Sequence, residues 1–185
     1  MKKILFVAHC LLNTASKVAR EPKDGAKQEE ELRIAFLKKA LDRGVQLIQL
    51  PCPEFTLYGA CRWGHVYEQF DSAFFRSHSR RILAPIILEL QEYLSHSEKF
   101  EVLGIIGIDG SPSCGVSYTC RGEWGGELGG RSDLQGIIST VRLVENAGVF
   151  IEVLQQLLVE AEIDLPLIGL FAPERERVLS ILDFP

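Results

Sequence analysis

The sequence predicts an α/β fold, in which an open, mostly parallel sheet carries helices on both faces in a Rossmann-like arrangement. Short apolar segments at Lys2–Ala8, Val45–Leu50 and Val102–Ile108 alternate with segments of helical periodicity. These strand segments are apolar throughout, which is typical of strands buried on both faces. A chain of 185 residues fits a single domain, 1–185.

Helices are predicted from apolar spacing and from the residues at their ends. The segment Glu29–Arg43 has apolar residues three and four apart, acidic residues first and basic residues last, with Gly44 as its C-cap. A long helix is expected over Asp71–Ser95, and Pro85 should kink or split it.

The C-terminal half continues the alternation. Phe150–Ala161 has the spacing of an amphipathic helix. Leu167–Phe171 is predicted as the last strand and Pro173–Leu182 as the last helix, with proline in its first turn. Ile137–Glu145 fits a helix and a strand equally well.

Charge and hydropathy exclude several classes of function. The formal net charge is −5, so the basic surface of a nucleic-acid-binding protein is missing. A small or neutral ligand suits this charge better. No apolar run reaches the length of a membrane span, and Ile4–Ala8 is too short for the core of a signal peptide. We therefore expect a cytoplasmic protein with no membrane partner.

Three of the five cysteines directly follow predicted strands. Cys10 follows the first strand, Cys52 the second, and Cys114 lies in the tight loop Gly110–Gly115 after the third. Ligands of open α/β sheets bind at the carboxyl ends of the strands, so these thiols are expected to converge there. Pro51 and Pro53 are expected to exclude regular structure around Cys52.

Three converging thiolates are suited to metal chemistry. A structural zinc site normally has four ligands in short paired spacings, which are missing, although His9 and His65 are candidates for a fourth ligand. An iron–sulfur cluster held by three cysteines would leave one iron open, which is the mark of a catalytic site. The spacing alone does not choose between these metals.

Polar residues beside the thiols could relay protons. Glu54 lies two residues beyond Cys52, and Ser111 and Ser113 precede Cys114. The alternatives are structural: Glu54 could cap a helix or pair with Arg62, and the serines could form turns.

Other features have less specific readings. The glycine-dense segment 121–131 is predicted to be a mobile flap, with a solvated loop that has no role as an equal alternative. Cys61 and Cys120 are interpreted as small buried apolar residues. Arg76, Arg80 and Arg81 are expected on a solvated helix face, with an anion-binding patch as the alternative.

Three motifs in order resemble a known family. They are Cys10-Leu11-Leu12-Asn13, Cys52-Pro53-Glu54 and Ser111-Pro112-Ser113-Cys114-Gly115, with a weaker match at Gly148-Val149-Phe150. Together they resemble the domain family related to bacterial thiouracil desulfidase. The sequence departs from the usual pattern at Asn13, where glycine is common, and at Gly107–Gly110, where basic residues are often seen.

The resemblance implies a specific chemistry. It implies a [4Fe–4S] cluster held by Cys10, Cys52 and Cys114, fragile in air, whose fourth iron takes the sulfur of a thiolated small-molecule substrate. The thiocarbonyl of 2-thiouracil or a similar thioamide would become a carbonyl and release sulfide, without electron transfer. Glu54 is the candidate carboxyl for proton handling, and Ser111 or Ser113 the candidate hydroxyl.

Two other functional classes stay open at this point. Cys114 could be the nucleophile of a metal-free hydrolase, activated by His9 or His65. The chain could also be a non-enzymatic carrier of a metal or cluster, or a small-molecule binding protein.

Overall fold

A computed structural model of the protein describes residues 1–19 and 24–184. The strands are β1 (Lys2–Val7), β2 (Gln46–Gln49), β3 (Phe100–Ile108), β4 (Tyr118–Arg121), β5 (Arg142–Glu145) and β6 (Leu167–Leu170). The α-helices are α1 (His9–Leu12), α2 (Asp24–Asp42), α3 (Pro53–Tyr58), α4 (Tyr67–Phe70), α5 (Ala73–Ser95), α6 (Leu134–Ser139), α7 (Val149–Glu160) and α8 (Arg175–Ser180). Single 3₁₀ turns cover Thr14–Ser16 and Ala172–Glu174.

Four strands form one parallel sheet in the order β2-β1-β3-β6. The central strand β1 pairs with β2 on one side and β3 on the other, so that Phe6 lies opposite both Ile48 and Ile105. Because these three strands are parallel neighbours, the segments that follow them leave the sheet at one edge. The segments that carry Cys10, Cys52 and Cys114 therefore lie at that edge. The parallel sheet with its flanking helices confirms the predicted α/β class.

The helices flank the sheet in two groups. Helix α5 packs against both α7 and β3, and α2 and α8 pack together against β6. Phe36 of α2 and Phe150 of α7 are both almost completely buried. Within the described residues, no helix is both long and apolar enough to cross a lipid bilayer.

Helix α5 is continuous through its proline, and its arginines differ from the prediction. Pro85 lies inside α5 and does not split it. The Pro85 ring lies on the exposed side of α5. Proline has no N–H, so a backbone carbonyl of the preceding turn loses its hydrogen-bond donor, and water can take the place of that donor. The opposite side of α5 is held in the core by the buried side chains of Leu83 and Ile87. Arg76 and Arg80 are not simply solvated: they pair with carboxylates of α7, at 2.6 Å to Glu152 and 2.7 Å to Glu160 respectively.

Other boundaries also differ. Helix α2 begins at Asp24 instead of Glu29. Pro53 does not exclude regular structure but starts α3, because proline at the first helical position lacks only an N–H that would have no partner there. The ambiguous segment 137–145 contains the end of α6 and all of β5. β5 pairs antiparallel with β4, a strand that the sequence did not indicate.

The amino end of α7 holds the loop that carries Cys114. The backbone N–H groups of Val149 and Phe150 donate to the carbonyls of Pro112 and Ser113, at 3.1 Å each. The first N–H groups of a helix have no acceptor within the helix, and the carbonyls of this loop supply acceptors for two of them. Gly148, the N-cap of α7, fits because it has no side chain: a Cβ there would come within 2.6 Å of the Ser113 carbonyl.

Replacing Gly148 with alanine should therefore destabilise the protein. We expect Gly148→Ala to lower the free energy of unfolding by about 1–3 kcal/mol, as overpacking does. The matched control is Gly136→Ala in α6, where an added Cβ meets nothing within 4 Å. That change should be neutral or stabilising, by up to about 1 kcal/mol. Urea unfolding of both variants measures the difference, and equal effects would contradict this packing.

Candidate active site

One cavity of about 360 Å³ lies at the edge of the sheet where β1, β2 and β3 end. Its lining contains all six residues selected from the sequence, namely Cys10, Cys52, Glu54, Ser111, Ser113 and Cys114. The three segments that follow β1, β2 and β3 thus meet around a single space. The structure brings these residues together, while the roles assigned to them stay predictions.

Each thiol is positioned by local backbone structure. Cys10 lies in α1, immediately after β1. Cys52 is the N-cap of α3, and its Sγ accepts a hydrogen bond from the backbone N–H of Phe55 at 3.3 Å. Cys114 is buried in the loop held by α7. All five cysteines of the chain are free.

The three thiols are protonated at neutral pH, because burial raises the pKa of each. Burial raises the pKa of Cys10 to about 11, partly opposed by the positive charge of Lys17. Burial likewise raises the pKa of Cys52, and it raises the pKa of Cys114 well above its ordinary value. Charge on Cys10 or Cys52 raises the pKa of Cys114 further, so three thiolates need a compensating cation.

The donor set suits a cluster better than a single ion. Within residues 1–19 and 24–184, no three His, Cys, Asp or Glu side chains lie close enough to share one metal ion. A [4Fe–4S] cluster binds each thiolate through a different iron, so it takes thiols spread around a cavity. Cys10, Cys52 and Cys114 line such a cavity, and burial keeps them from ionising without positive charge.

A directed hydrogen-bond chain runs beside the thiols. The Ser113 hydroxyl is buried and donates to Glu54 Oε1 at 2.6 Å. Ser111 Oγ lies 3.2 Å from Ser113 Oγ. Since Ser113 has one proton and gives it to Glu54, Ser111 is the donor between the two serines. Ser111 Oγ also accepts from the backbone N–H of Cys114 at 3.0 Å, so it shapes the loop as well.

Arg62 fixes the other side of the Glu54 carboxylate. Its Nε donates to Glu54 Oε2 at 3.2 Å, and its Nη2 donates to the Ser16 carbonyl at 2.5 Å. The Arg62 side chain is only 5% exposed, so this ion pair is largely shielded from water. Of the two structural alternatives for Glu54, the pairing with Arg62 is present. The capping role is not, because the N-cap of α3 is Cys52 and Glu54 lies in the first turn. The ion pair does not exclude the contact of Glu54 with Ser113.

Sequence reasoning did not select Asp109, which orders the far side of the loop. Asp109 is buried at the end of β3, and its Oδ1 accepts from the backbone N–H groups of Val116 and Ser117 at 2.7 and 2.9 Å. The carboxyl lies against Gly169 of β6, where any Cβ would overlap it. The sequence did carry one signal for Asp109, which is an acidic residue placed directly between a predicted buried strand and Gly110.

The histidines line the cavity without activating a thiol. His9 Nε2 lies 3.4 Å from the Asn13 amide, and the His65 ring stacks on Phe70 with centroids 4.8 Å apart. Burial lowers the pKa of both imidazoles. In the part of the chain that the structure describes, the hydrogen-bonding contact of Cys114 Sγ is Ser113 Oγ at 3.5 Å, and no imidazole reaches it.

The remaining cysteines lie outside this cavity. Cys61 is exposed, so the interpretation of it as a buried apolar residue was wrong. It lies in the irregular segment between α3 and α4, which leaves its thiol in solvent. Cys120 is half-buried in β4, and its thiol donates to the His65 carbonyl at 3.6 Å.

Comparisons with known proteins agree with the resemblance in the motifs. A family model described as "Putative 2-thiouracil desulfurase" matches residues 1–125, which include all three motif cysteines. An uncharacterized protein of Methanocaldococcus jannaschii is 34% identical over 115 residues, covering 62% of this chain and 69% of that protein. No solved structure matches the chain significantly.

Thiol alkylation should follow exposure and ionisation. In the reduced, metal-free protein at neutral pH, the exposed Cys61 should react first with iodoacetamide, while Cys10, Cys52 and Cys114 should react slowly. A raised pKa means little thiolate, so Cys10 alkylation should accelerate as the pH approaches about 11. Peptide mass spectrometry over time measures each rate. In Cys61→Ser the fast phase should vanish, and preferential labelling of Cys114 would contradict this picture.

Proposed function

Because the chain belongs to the family described as "Putative 2-thiouracil desulfurase", we propose that it is a [4Fe–4S]-dependent desulfidase that works without net electron transfer. Its substrate is a thiolated nucleobase or a similar thioamide, whose C=S group becomes C=O as sulfide leaves. The convergence of three thiols on one cavity, beside the Ser113–Glu54 pair, is the observation that carries this proposal. Two of these thiols are buried, and that of Cys10 is half-buried.

Cys10, Cys52 and Cys114 are the proposed cluster ligands. When bound, a cluster with three cysteine ligands supplies one iron with an open position and an affinity for the sulfur of the substrate. The protein's own part is to present three thiols around one cavity. Free cysteines also suit the reducing cytoplasm in which we expect the protein to work.

Glu54 and Ser113 are proposed to move protons. The net reaction adds water: a C–O bond forms, the C–S bond breaks, and both protons of the water end on the sulfide. In this scheme Glu54 Oε1 accepts the first proton through the Ser113 hydroxyl and returns it to the departing sulfur. Arg62 keeps the carboxylate oriented by holding Oε2.

Ser113, and not Ser111, is the hydroxyl proposed to act. Ser113 Oγ contacts the carboxylate directly, whereas Ser111 Oγ contacts the loop backbone and Ser113. A metal-free reaction at Cys114 has less support, because burial raises the pKa of that thiol and no imidazole contacts it in the described chain.

Iron content should depend on three cysteines and not on the other two. After anaerobic reconstitution, the wild-type chain should hold about four irons and four acid-labile sulfides. Cys10→Ala, Cys52→Ala and Cys114→Ala should each lower that content and bleach the visible absorption. Cys61→Ser is the matched control and should keep the wild-type iron content. Zinc alone, or full iron in all three alanine variants, would overturn the assignment.

Turnover should depend on the Glu54 carboxylate. Glu54→Gln preserves the side-chain shape but cannot take a proton, so sulfide release from 2-thiouracil should fall by about 10²–10⁴-fold, with the iron content unchanged. The control, Glu160→Gln, alters an exposed carboxylate of α7 and should leave the rate unchanged. Full turnover by Glu54→Gln with its iron intact would remove the proton-handling role.

A further inference from the structure

His65 is a titratable group in the wall of the thiol cavity that the proposed reaction leaves unused. It lines this cavity together with Glu54 and Arg62. Burial lowers the pKa of its imidazole, and the charges of Glu54 and Arg62 act on that pKa in opposite directions. The imidazole is therefore within electrostatic reach of the carboxylate that is proposed to move protons.

Neighbouring groups hold the His65 imidazole in a defined place. The rings of Tyr58 and Phe70 both stack on it, with centroids 5.1 and 4.8 Å away and interplanar angles of 25° and 28°. The backbone is held as well, because the Cys120 thiol of β4 donates to the His65 carbonyl at 3.6 Å. Packing that fixes a side chain in this way is what a catalytic group needs.

One nitrogen of this imidazole is left for the cavity. Nδ1 is buried and has no hydrogen-bond partner among the described residues. Nε2 is therefore the nitrogen that the cavity can reach. A neutral imidazole accepts a proton at one nitrogen while the other keeps its own. Burial favours this neutral form, because it lowers the pKa of His65.

The proposed reaction has two protons to move. The attacking water brings both of them, and the Ser113–Glu54 pair takes the first one as the C–O bond forms. The second proton stays on the new hydroxyl group, and it must leave when that hydroxyl becomes a carbonyl and the C–S bond breaks. Glu54 is handing its proton to the sulfur in this same step, so a second base accelerates the reaction.

We propose that His65 is a second catalytic residue of the desulfidase, whose Nε2 accepts the proton of the new hydroxyl group and passes it to the departing sulfide. The inference rests on the proposed function, since it assigns one step of that reaction. The step is balanced: the electron pair of the broken O–H bond forms the C=O bond, and the pair of the C–S bond leaves with the sulfur. The protein neither gains nor loses an electron, and the imidazole ends neutral.

The pH dependence of turnover should show this imidazole. Protonated His65 cannot accept a proton, so kcat should fall as the pH drops through its pKa, which burial lowers below the ordinary value of 6.5. The ionisable groups around the ring are those of Glu54, Tyr58, Arg62 and Cys120. In the iron-free chain, the NMR signals of the His65 imidazole should titrate below pH 6.5. The fall of kcat over that range should be missing in His65→Phe.

Two substitutions of His65 separate proton transfer from packing. His65→Phe keeps an aromatic ring in the stack but removes the acceptor, so its kcat for sulfide release from 2-thiouracil should fall by about 10²–10⁴-fold, with the KM and the iron content near wild type. His65→Ala should lose as much, and added imidazole should restore part of its rate while added pyrrole, which is not a base, should not. His96→Phe is the matched control, because His96 lies on the surface at the end of α5, and it should keep the wild-type kcat.

The same assays separate this proposal from the desulfidase function. If the wild-type chain releases sulfide and His65→Phe keeps its kcat, the role of His65 is overturned and the desulfidase stands. Loss of iron from His65→Phe would likewise overturn the role, because His65 would then support the cavity instead of moving a proton. A wild-type chain that holds its full iron content and releases no sulfide from any thioamide would refute the desulfidase and, with it, this step.

Discussion

The docking of the 111–115 loop onto the amino end of α7 is the interaction on which the site depends. Backbone N–H groups of α7 donate to carbonyls of Pro112 and Ser113, and Gly148 lets the two backbones approach. Gly107 on the other side is equally close, since a Cβ there would lie 2.5 Å from the Cys114 carbonyl. Cys114 and Ser113 are thus placed by main-chain contacts between rigid elements, which is how precise sites are supported.

The distribution of charge explains how three thiols and the Glu54 carboxylate can line the same cavity. Glu54 has its own cation in Arg62, and Lys17, which lies near Cys10, also pairs with Glu29. The thiols have no comparable partner among the described residues, and burial holds them neutral. A bound cluster would supply the missing positive charge, which links the assembly of the site to its chemistry.

The sequence predicted those features that depend on local pattern and on the geometry of parallel sheets. Apolar strands followed by Cys10, Cys52 and Cys114 were enough to place three thiols at one edge. The antiparallel β4–β5 pair was missed because its strands are four residues long and are separated by the irregular segment and α6. Proline rules misjudged Pro53, whose effect depends on its position in the helix, and they did not decide whether Pro85 would split α5.

Contacts between distant segments could not be read from the chain. The pairing of Glu54 with Ser113 joins residues 59 positions apart. The same limit hid the burial of Asp109 against Gly169. The contact of Ser113 with Glu54 favours Ser113 over Ser111 as the proposed hydroxyl, a choice that the sequence left open.

The most direct test of the central claim is the stoichiometry of turnover by the reconstituted wild-type chain under anaerobic conditions with no reductant. The account predicts that 2-thiouracil gives one uracil for each sulfide released, and that the new carbonyl oxygen comes from isotope-labelled water. A requirement for a reductant, an oxygen atom from another source, or no uracil formed by chain that holds its full iron content would contradict it.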